Sequence, residues 1–334
     1  MRYRTIGNGR TSFDVSTICL GTMNFGTLTD VDTSLAILDR FVEAGGTFID
    51  TANNYNAWVG GHGRDSEDLI GGWLADRGIR GHVRIATKVG AAKKVPTLPL
   101  SNTPPTNFEG LGGALVRRQA HESARHLGVE HLDVLYGHVD DRETALADTV
   151  GAFGALQEEG LVGVAGISNV ALWRVVEARE EAMRQGVAPY GLVQQQHSYV
   201  HPEPKLGRHN FVTPDLLDYA ASTGTADRPP LAVTAYSPLH KGALARRERP
   251  LFDVEHPTSR ARLATLHEVA REVGATPNQV ALAWMLGAEV PVIPVVGASS
   301  VAQLDEVLGA AELDLDADVR ARLDQEPLLQ RAAA

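Results

Sequence analysis

The chain has 334 residues, 43% of them hydrophobic, and a formal net charge of −10. That is ample for a sizeable core, and the acidity argues against nucleic acid or an anionic membrane as partner. Cys19 is the only cysteine, which excludes a disulfide framework or zinc ribbon within one chain, and the histidines show no HExxH-type spacing, so no metal is expected.

Met1-Arg2-Tyr3-Arg4 leads into Gly, Asn and Ser rather than an apolar stretch, and no apolar run reaches about 18 residues. The expectation is a soluble, cytoplasmic protein without signal peptide or spanning helix. Residues 2–15 alternate around Gly7-Asn8-Gly9, which predicts a hairpin. Apolar runs then alternate with helical patterns. Ser16–Leu20 precedes Thr33–Ala44, Thr47–Ile49 precedes Ser66–Asp76, Val83–Thr87 precedes Leu111–Leu127, and Leu132–Tyr136 precedes Thr144–Glu158. Val162–Ile167 precedes Ala171–Gln185, Gly191–Gln195 precedes Pro214–Ser222, Ala232–Tyr236 precedes Arg260–Val273, and Val290–Val296 precedes Val301–Ala311. Eight strand–helix units with near-continuously apolar strands predict a (β/α)8 TIM barrel, as one domain over residues 1–334, with the hairpin plugging its floor. Thr276-Pro277-Asn278 starts an extra helix reaching about Leu286, and long loops at 89–110 and 237–258 follow strands, so both lie at the C-terminal mouth.

Asp50, Tyr55, Lys88 and His138 each follow an apolar run, so parallel neighbouring strands bring all four to that mouth. Together they form an acid–base device: a phenol of ordinary pKa about 10, an ammonium expected to lower it, a carboxylate to hold the ammonium, and an imidazole to orient a substrate oxygen. Ser168-Asn169 after a strand offers a hydroxyl and an amide suited to a carboxamide, and Tyr236 offers a flat face to a flat ring. Gly297 followed by Ser299 and Ser300 before a helix forms a small anion seat. No GxGxxG follows the first strand, which argues against a Rossmann domain.

Nine ordered motifs resemble the aldo-keto reductases over nearly the whole length. They are Leu20–Gly26, Phe48–Tyr55, Ser66-Glu67, Ala86–Gly90, Asp133–His138, Gly166–Asn169, Gln196–Tyr199, Ala235–Leu239 and Gly297–Ser300. The resemblance implies NADP(H)-dependent reduction of aldehydes and ketones without metal or flavin. Asp50, Tyr55, Lys88 and His138 match its catalytic tetrad. Ser168, Asn169 and Gln196 match its nicotinamide-amide ligands, and Tyr236 its stacking ring. Gly21, Thr22 and Met23 lie in the first loop, beside the nicotinamide. Ser237 and Leu239 would meet the diphosphate, and Gly297, Ser299, Ser300, Gln303 and Glu306 the adenine end.

Three departures from the family pattern bear on function. Glu306 is followed by Val307, where many members have Asn. The stretch 297–306 carries no positive charge, and Gln303 stands where some members have arginine, so NADP is favoured with NAD as the alternative. Serine hydroxyls, Lys241, or the arginines of the second long loop (Arg246, Arg247, Arg249, otherwise read as solvated) are the remaining candidates for a 2′-phosphate. Around the substrate, Asn24, Phe25, Asn54, Trp58, His138 and Asp140 suit a polar or sugar-like carbonyl compound. Asp50 and Lys88 also read as a plain structural ion pair, and His138 alone as a core histidine. The rival functions are a cofactor-holding regulatory subunit with slow turnover and a non-redox barrel enzyme.

Overall fold

The computed structural model describes residues 1–95, 105–202, 210–246, 248–251 and 254–325. An antiparallel ribbon comes first, β1 (Tyr3–Gly7) against β2 (Ser12–Ser16). Eight parallel strands then close a barrel: β3 (Cys19–Gly21), β4 (Phe48–Asp50), β5 (Arg84–Val89), β6 (Leu132–Gly137), β7 (Val162–Ser168), β8 (Leu192–Gln196), β9 (Ala232–Tyr236) and β10 (Val292–Val296), with β10 returning to pair β3. Each strand is followed by a helix, in turn α1 (Val31–Glu43), α2 (Asp65–Arg77), α3 (Gly113–Leu127), α4 (Leu146–Glu158), α5 (Leu172–Gln185), α6 (Pro214–Ala221), α7 (Pro257–Glu272) and, after an inserted α8 (Pro277–Leu286), α9 (Val301–Leu308); α10 (Ala317–Asp324) closes the series. This is the (β/α)8 barrel with N-terminal hairpin that the alternation predicts. Among the described residues no helix is long and apolar enough to cross a membrane.

The ribbon stoppers the N-terminal end. Ile6 and Val15 pack with Cys19, Phe48, Val134, Leu192 and Ile293 inside the barrel. Asn8 Nδ2 donates to the Gly163 carbonyl (3.3 Å) and Arg4 to that of Pro291 (2.7 Å), both at the feet of strands. Gly191 permits the close approach, since a Cβ there would collide with the Gly7 carbonyl.

Side chains alternate along a strand, so the residue two places beyond an interior apolar one also points inward, nearer the mouth. Phe48, Ala86, Tyr136 and Leu192 are interior. Asp50, Lys88, His138 and Gln194 therefore emerge above them. The intervening Ile49 and Val193, and Leu135 just before Tyr136, face outward into the shell packed under the helices.

Some boundaries differ from expectation. Ser16 ends the ribbon, paired with Tyr3, and its Oγ accepts from the backbone of Thr47 (3.0 Å), so the barrel strand starts only at Cys19. α4 begins at Leu146 because Asp141 captures the Thr144 N–H (3.1 Å). α10 is additional; Leu323 is its only fully buried residue, too weak a periodic signal to read from sequence.

Beside α7 and α8, the rings of His197 and His201 lie 5.5 Å apart and that of His197 5.8 Å from Trp284. Burial, then positive neighbours including Arg262, push His197 down to about 3 and His201 down to about 4. Both are neutral in the fold but take up protons below about pH 6.5 once unfolded. The unfolded state then binds more protons, so stability falls as pH drops from about 6.5 toward these lowered values. The melting temperature is expected to decline over that window, with a shallower slope in His197→Gln; an identical slope would remove His197 as a cause.

Candidate active site

Asp50 ends β4, Lys88 is the fifth residue of β5, and Tyr55 sits on the loop after β4. Lys88 is fully buried and Asp50 is 1% exposed. Lys88 Nζ donates to Asp50 Oδ1, to the Thr51 carbonyl (2.8 Å) and to the Tyr55 hydroxyl (2.8 Å). All three ammonium hydrogens are thereby used. The other carboxylate oxygen of Asp50 accepts from Gln194 Nε2 (2.8 Å). Beneath them Thr22 Oγ1, Ser66 Oγ and Thr51 Oγ1 form a buried hydroxyl chain that ties β3, α2 and β4 together.

The phenol departs from expectation. Burial, then the negative Asp50, push the Tyr55 hydroxyl well above its ordinary value. The ammonium does not reverse this, because Asp50 already balances it at contact distance. Tyr55 therefore keeps its proton while its oxygen accepts from Lys88. Burial lowers Lys88, opposed by Asp50.

His138 follows β6, with its ring 6.1 Å from that of Tyr55 and edge-on to it. Burial, then Lys88, hold it well below the usual imidazole range, so it is neutral. Its Nδ1 is buried without a hydrogen-bond partner. Asn169, in the left-handed region (φ 62°), fixes the backbone there: Nδ2 donates to the His138 carbonyl (2.9 Å) and to Ser168 Oγ (3.1 Å), and Oδ1 accepts from the Tyr236 hydroxyl (2.8 Å).

These groups open into one cleft of about 1570 Å³. The structure brings Gly21, Met23, Asn24, Phe25, Asp50, Asn54, Tyr55, Trp58, His138, Asp140, Ser168, Asn169, Tyr236, Ser237, Leu239, Gly297, Ser299, Gln303 and Glu306 to its wall. Lys88 lies one layer beneath, behind Asp50 and Tyr55. Thr22, Gln196 and Ser300 do not line it. Thr22 is buried in the hydroxyl chain. Ser300 caps α9 by accepting from the Gln303 N–H (3.2 Å). Gln196 is level with Tyr236 at the strand end, where its backbone pairs with Asn210 and Val212. Gln194, level with Ser168, is the glutamine at the site; period-2 alternation from Leu192 turns both Gln194 and Gln196 inward, and the strand register separates them.

The cations that the last loop lacks come from the loop after β9. Lys241, Arg246 and Arg249 all line the cleft, while Arg247 lies outside the described residues. That wall is backbone-strained: Ser237, His240 and Lys241 have φ of 54°, 43° and 55°. At the far end Asn278, from α8, is an unexpected lining residue.

The model of the Aldo/keto reductase family matches residues 17–326. An uncharacterized oxidoreductase, YrpG, of Bacillus subtilis (strain 168) is 33% identical over 320 residues, covering 93% of this chain and 92% of its own. The norsolorinic acid reductase stcV of Emericella nidulans is 30% identical over 314 residues (90% of this chain, 75% of its own), and an aryl-alcohol dehydrogenase of Pestalotiopsis microspora 28% over 333 (92% and 77%). With a matching barrel and a family match spanning nearly all of it, this chain belongs to the aldo/keto reductase family, and it is an oxidoreductase.

Proposed function

We propose that this oxidoreductase reduces an aldehyde or ketone to the alcohol using NADPH, with Tyr55 as proton donor. The observation that carries this reading is the Tyr55 hydroxyl itself, accepting from Lys88 at 2.8 Å while burial keeps its own proton in place. When bound, the reduced nicotinamide supplies the hydride. The chain's own residues do the rest. Neutral His138 hydrogen-bonds the substrate oxygen and sets its angle. Tyr55 gives its proton to the oxygen as negative charge develops there, and Lys88, held by Asp50, steadies the resulting phenolate. Tyr236, its hydroxyl tied to Asn169 and Asn210, presents a fixed ring face. The cleft fits the cofactor, with a flat ring and amides beside Tyr55, cations along one wall, and a buried, unpartnered amide oxygen on Asn278 at the end beside Glu306.

The substrate is an aryl carbonyl bearing polar groups. Met23, Leu28, Trp58, Phe108 and Val139 give the cleft an apolar wall, and Asn54 sets a buried, unpartnered Oδ1 among them. Asp140 Oδ2 is engaged by Arg142 (2.7 Å), while its Oδ1, 3.5 Å from Arg174, has no hydrogen-bond partner. A relative named for aryl alcohols supports the aryl class. The test is NADPH binding by nucleotide fluorescence, then loss of its absorbance across a panel of aryl and sugar carbonyls. No binding would favour a non-redox barrel, and binding without oxidation a cofactor-holding module.

Cofactor choice follows from the loop cations. A hydrogen bond to a charged group contributes about 1.5–3 kcal/mol, so NADPH is expected to exceed NADH in kcat/KM by about tenfold to a hundredfold. The double variant Arg246→Ala/Arg249→Ala is expected to erase most of that ratio and leave NADH nearly unaffected, whereas Ser299→Ala trims it slightly. A ratio untouched by the double variant, or a native preference for NADH, would overturn this assignment.

A further inference from the structure

We propose that Gln194 is a positioning residue for the proton donor, a neutral strut across the barrel that holds Asp50 by one oxygen so that the other serves Lys88. The inference rests on the Tyr55 reading above and assigns a role to the strand opposite Asp50. β4, which carries Asp50, and β8, which carries Gln194, are separated by β5, β6 and β7 on one side of the closed ring and by β9, β10 and β3 on the other. Gln194 Nε2 crosses that interior and donates to Asp50 Oδ2 at 2.8 Å. Gln194 is 3% exposed and stands one inward layer above Leu192, Phe48 and Ala86, which are apolar. An apolar side chain of that length would fill the same space, so packing alone does not call for an amide.

The two oxygens of Asp50 have separate tasks. Oδ1 accepts from Lys88, with the Tyr55 hydroxyl 3.4 Å away, and Oδ2 accepts from Gln194. A flipped amide would set its oxygen against the carboxylate, so the nitrogen must face Asp50. A buried carboxylate oxygen stripped of its donor turns toward the nearest remaining ones, which are Lys88 and the Tyr55 hydroxyl. Either turn competes with the 2.8 Å contact by which Lys88 orients that hydroxyl. Asp50 is faced by Lys88 from β5, Tyr55 from the loop after β4, Tyr136 from β6 and Cys19 from β3; Glu67 of α2 and His138 act on Lys88, and Tyr236 of β9 on Tyr55. Burial, then Asp50 itself, hold Cys19, Tyr55 and Tyr136 well above their ordinary values, so they stay uncharged, and Lys88 is the cation that balances Asp50. A neutral donor at position 194 fixes the carboxylate and leaves that balance intact, whereas a second acid there would compete with Asp50 for Lys88.

The experiment uses two variants and a carbonyl compound reduced in the panel above. Gln194→Met keeps the length of the side chain and deletes the donor. Its single-turnover rate at saturating NADPH is expected to fall at least about tenfold, with NADPH affinity, read by nucleotide fluorescence, within a few-fold of native. Gln194→Glu keeps the shape and sets a second carboxyl against Asp50, which raises the pKa of the newcomer. While protonated it donates to Oδ2 as the amide does; once ionised it repels Asp50 and draws on Lys88. The rate of Gln194→Glu is therefore expected to fall by at least about fivefold from pH 6 to pH 9, a window in which the native rate stays level. That ratio is taken on one sample, so any misfolded fraction cancels from it. A level profile in Gln194→Glu, or a native rate in Gln194→Met, overturns the positioning role while leaving the Tyr55 reading intact. Weakened NADPH binding with an unchanged rate would make Gln194 a cofactor ligand and overturns it as well. A native chain that oxidises NADPH with no carbonyl compound overturns the Tyr55 reading and this role with it.

Discussion

Replacing Tyr55 by Phe is expected to leave NADPH affinity within a few-fold of native and to lower the reduction rate by at least about 100-fold. General acid assistance typically supplies 10²–10⁴-fold, and this change deletes the proton donor while keeping the ring that packs edge-on to Trp58 and His138. The pH profile is a second readout. A general acid must be protonated to act, and burial and Asp50 hold Tyr55 well above an ordinary phenol. His138 is held well below the usual imidazole range, so it stays neutral. Native kcat for reduction is therefore expected to be flat between about pH 6 and 9, without an inflection near the ordinary imidazole value. The measurements are single-turnover rates and kcat against pH; a Phe variant with near-native rate would remove Tyr55 from the acid role.

Lys88→Met is expected to damage both activity and stability. It removes the donor at 2.8 Å from the Tyr55 hydroxyl and leaves Asp50, 1% exposed, with Gln194 and a long contact to Tyr55 (3.4 Å). Breaking a buried pair from one side costs about 3–5 kcal/mol, because the remaining charge is uncompensated. Adding Asp50→Asn removes that charge, so the double variant is expected to recover much of the stability but none of the activity. Denaturant unfolding and the carbonyl-reduction rate of the native chain and the two variants separate the two roles. Unchanged activity in Lys88→Met would reduce the pair to a structural one; equal stability of the single and double variants would show that Asp50 is not left stranded.

Much of this arrangement is legible before folding. Apolar runs such as Val83–Thr87 and Leu132–Tyr136 report strands buried on both faces, and their count and alternation with helical patterns specify the barrel. Once the strands are parallel neighbours, the residues at their ends must converge, which is why Asp50, Tyr55, Lys88 and His138 could be named together. Period-2 alternation was present but insufficient at Gln194 to Gln196: three consecutive glutamines give no apolar marker, and only the register with Ser168 and Tyr236 shows which one stands at the site and which at the rim.

Sequence by itself determined the elements and the chemical identity of the mouth, because local periodicity and strand ends are properties of neighbouring residues. The tertiary structure alone decided what depends on distant groups approaching each other. The Tyr55 phenol is raised because burial and a carboxylate five residues away outweigh an ammonium from another strand. Thr22 turns inward to satisfy buried hydroxyls, and Ser300 caps a helix end, rather than facing the cleft. Lys241, Arg246, Arg249 and Asn278 reach a wall also formed by residues 297–306, from segments far away in sequence. Burial, charge balance and hydrogen-bond satisfaction are sums over all neighbours in space, and chain order does not list those neighbours.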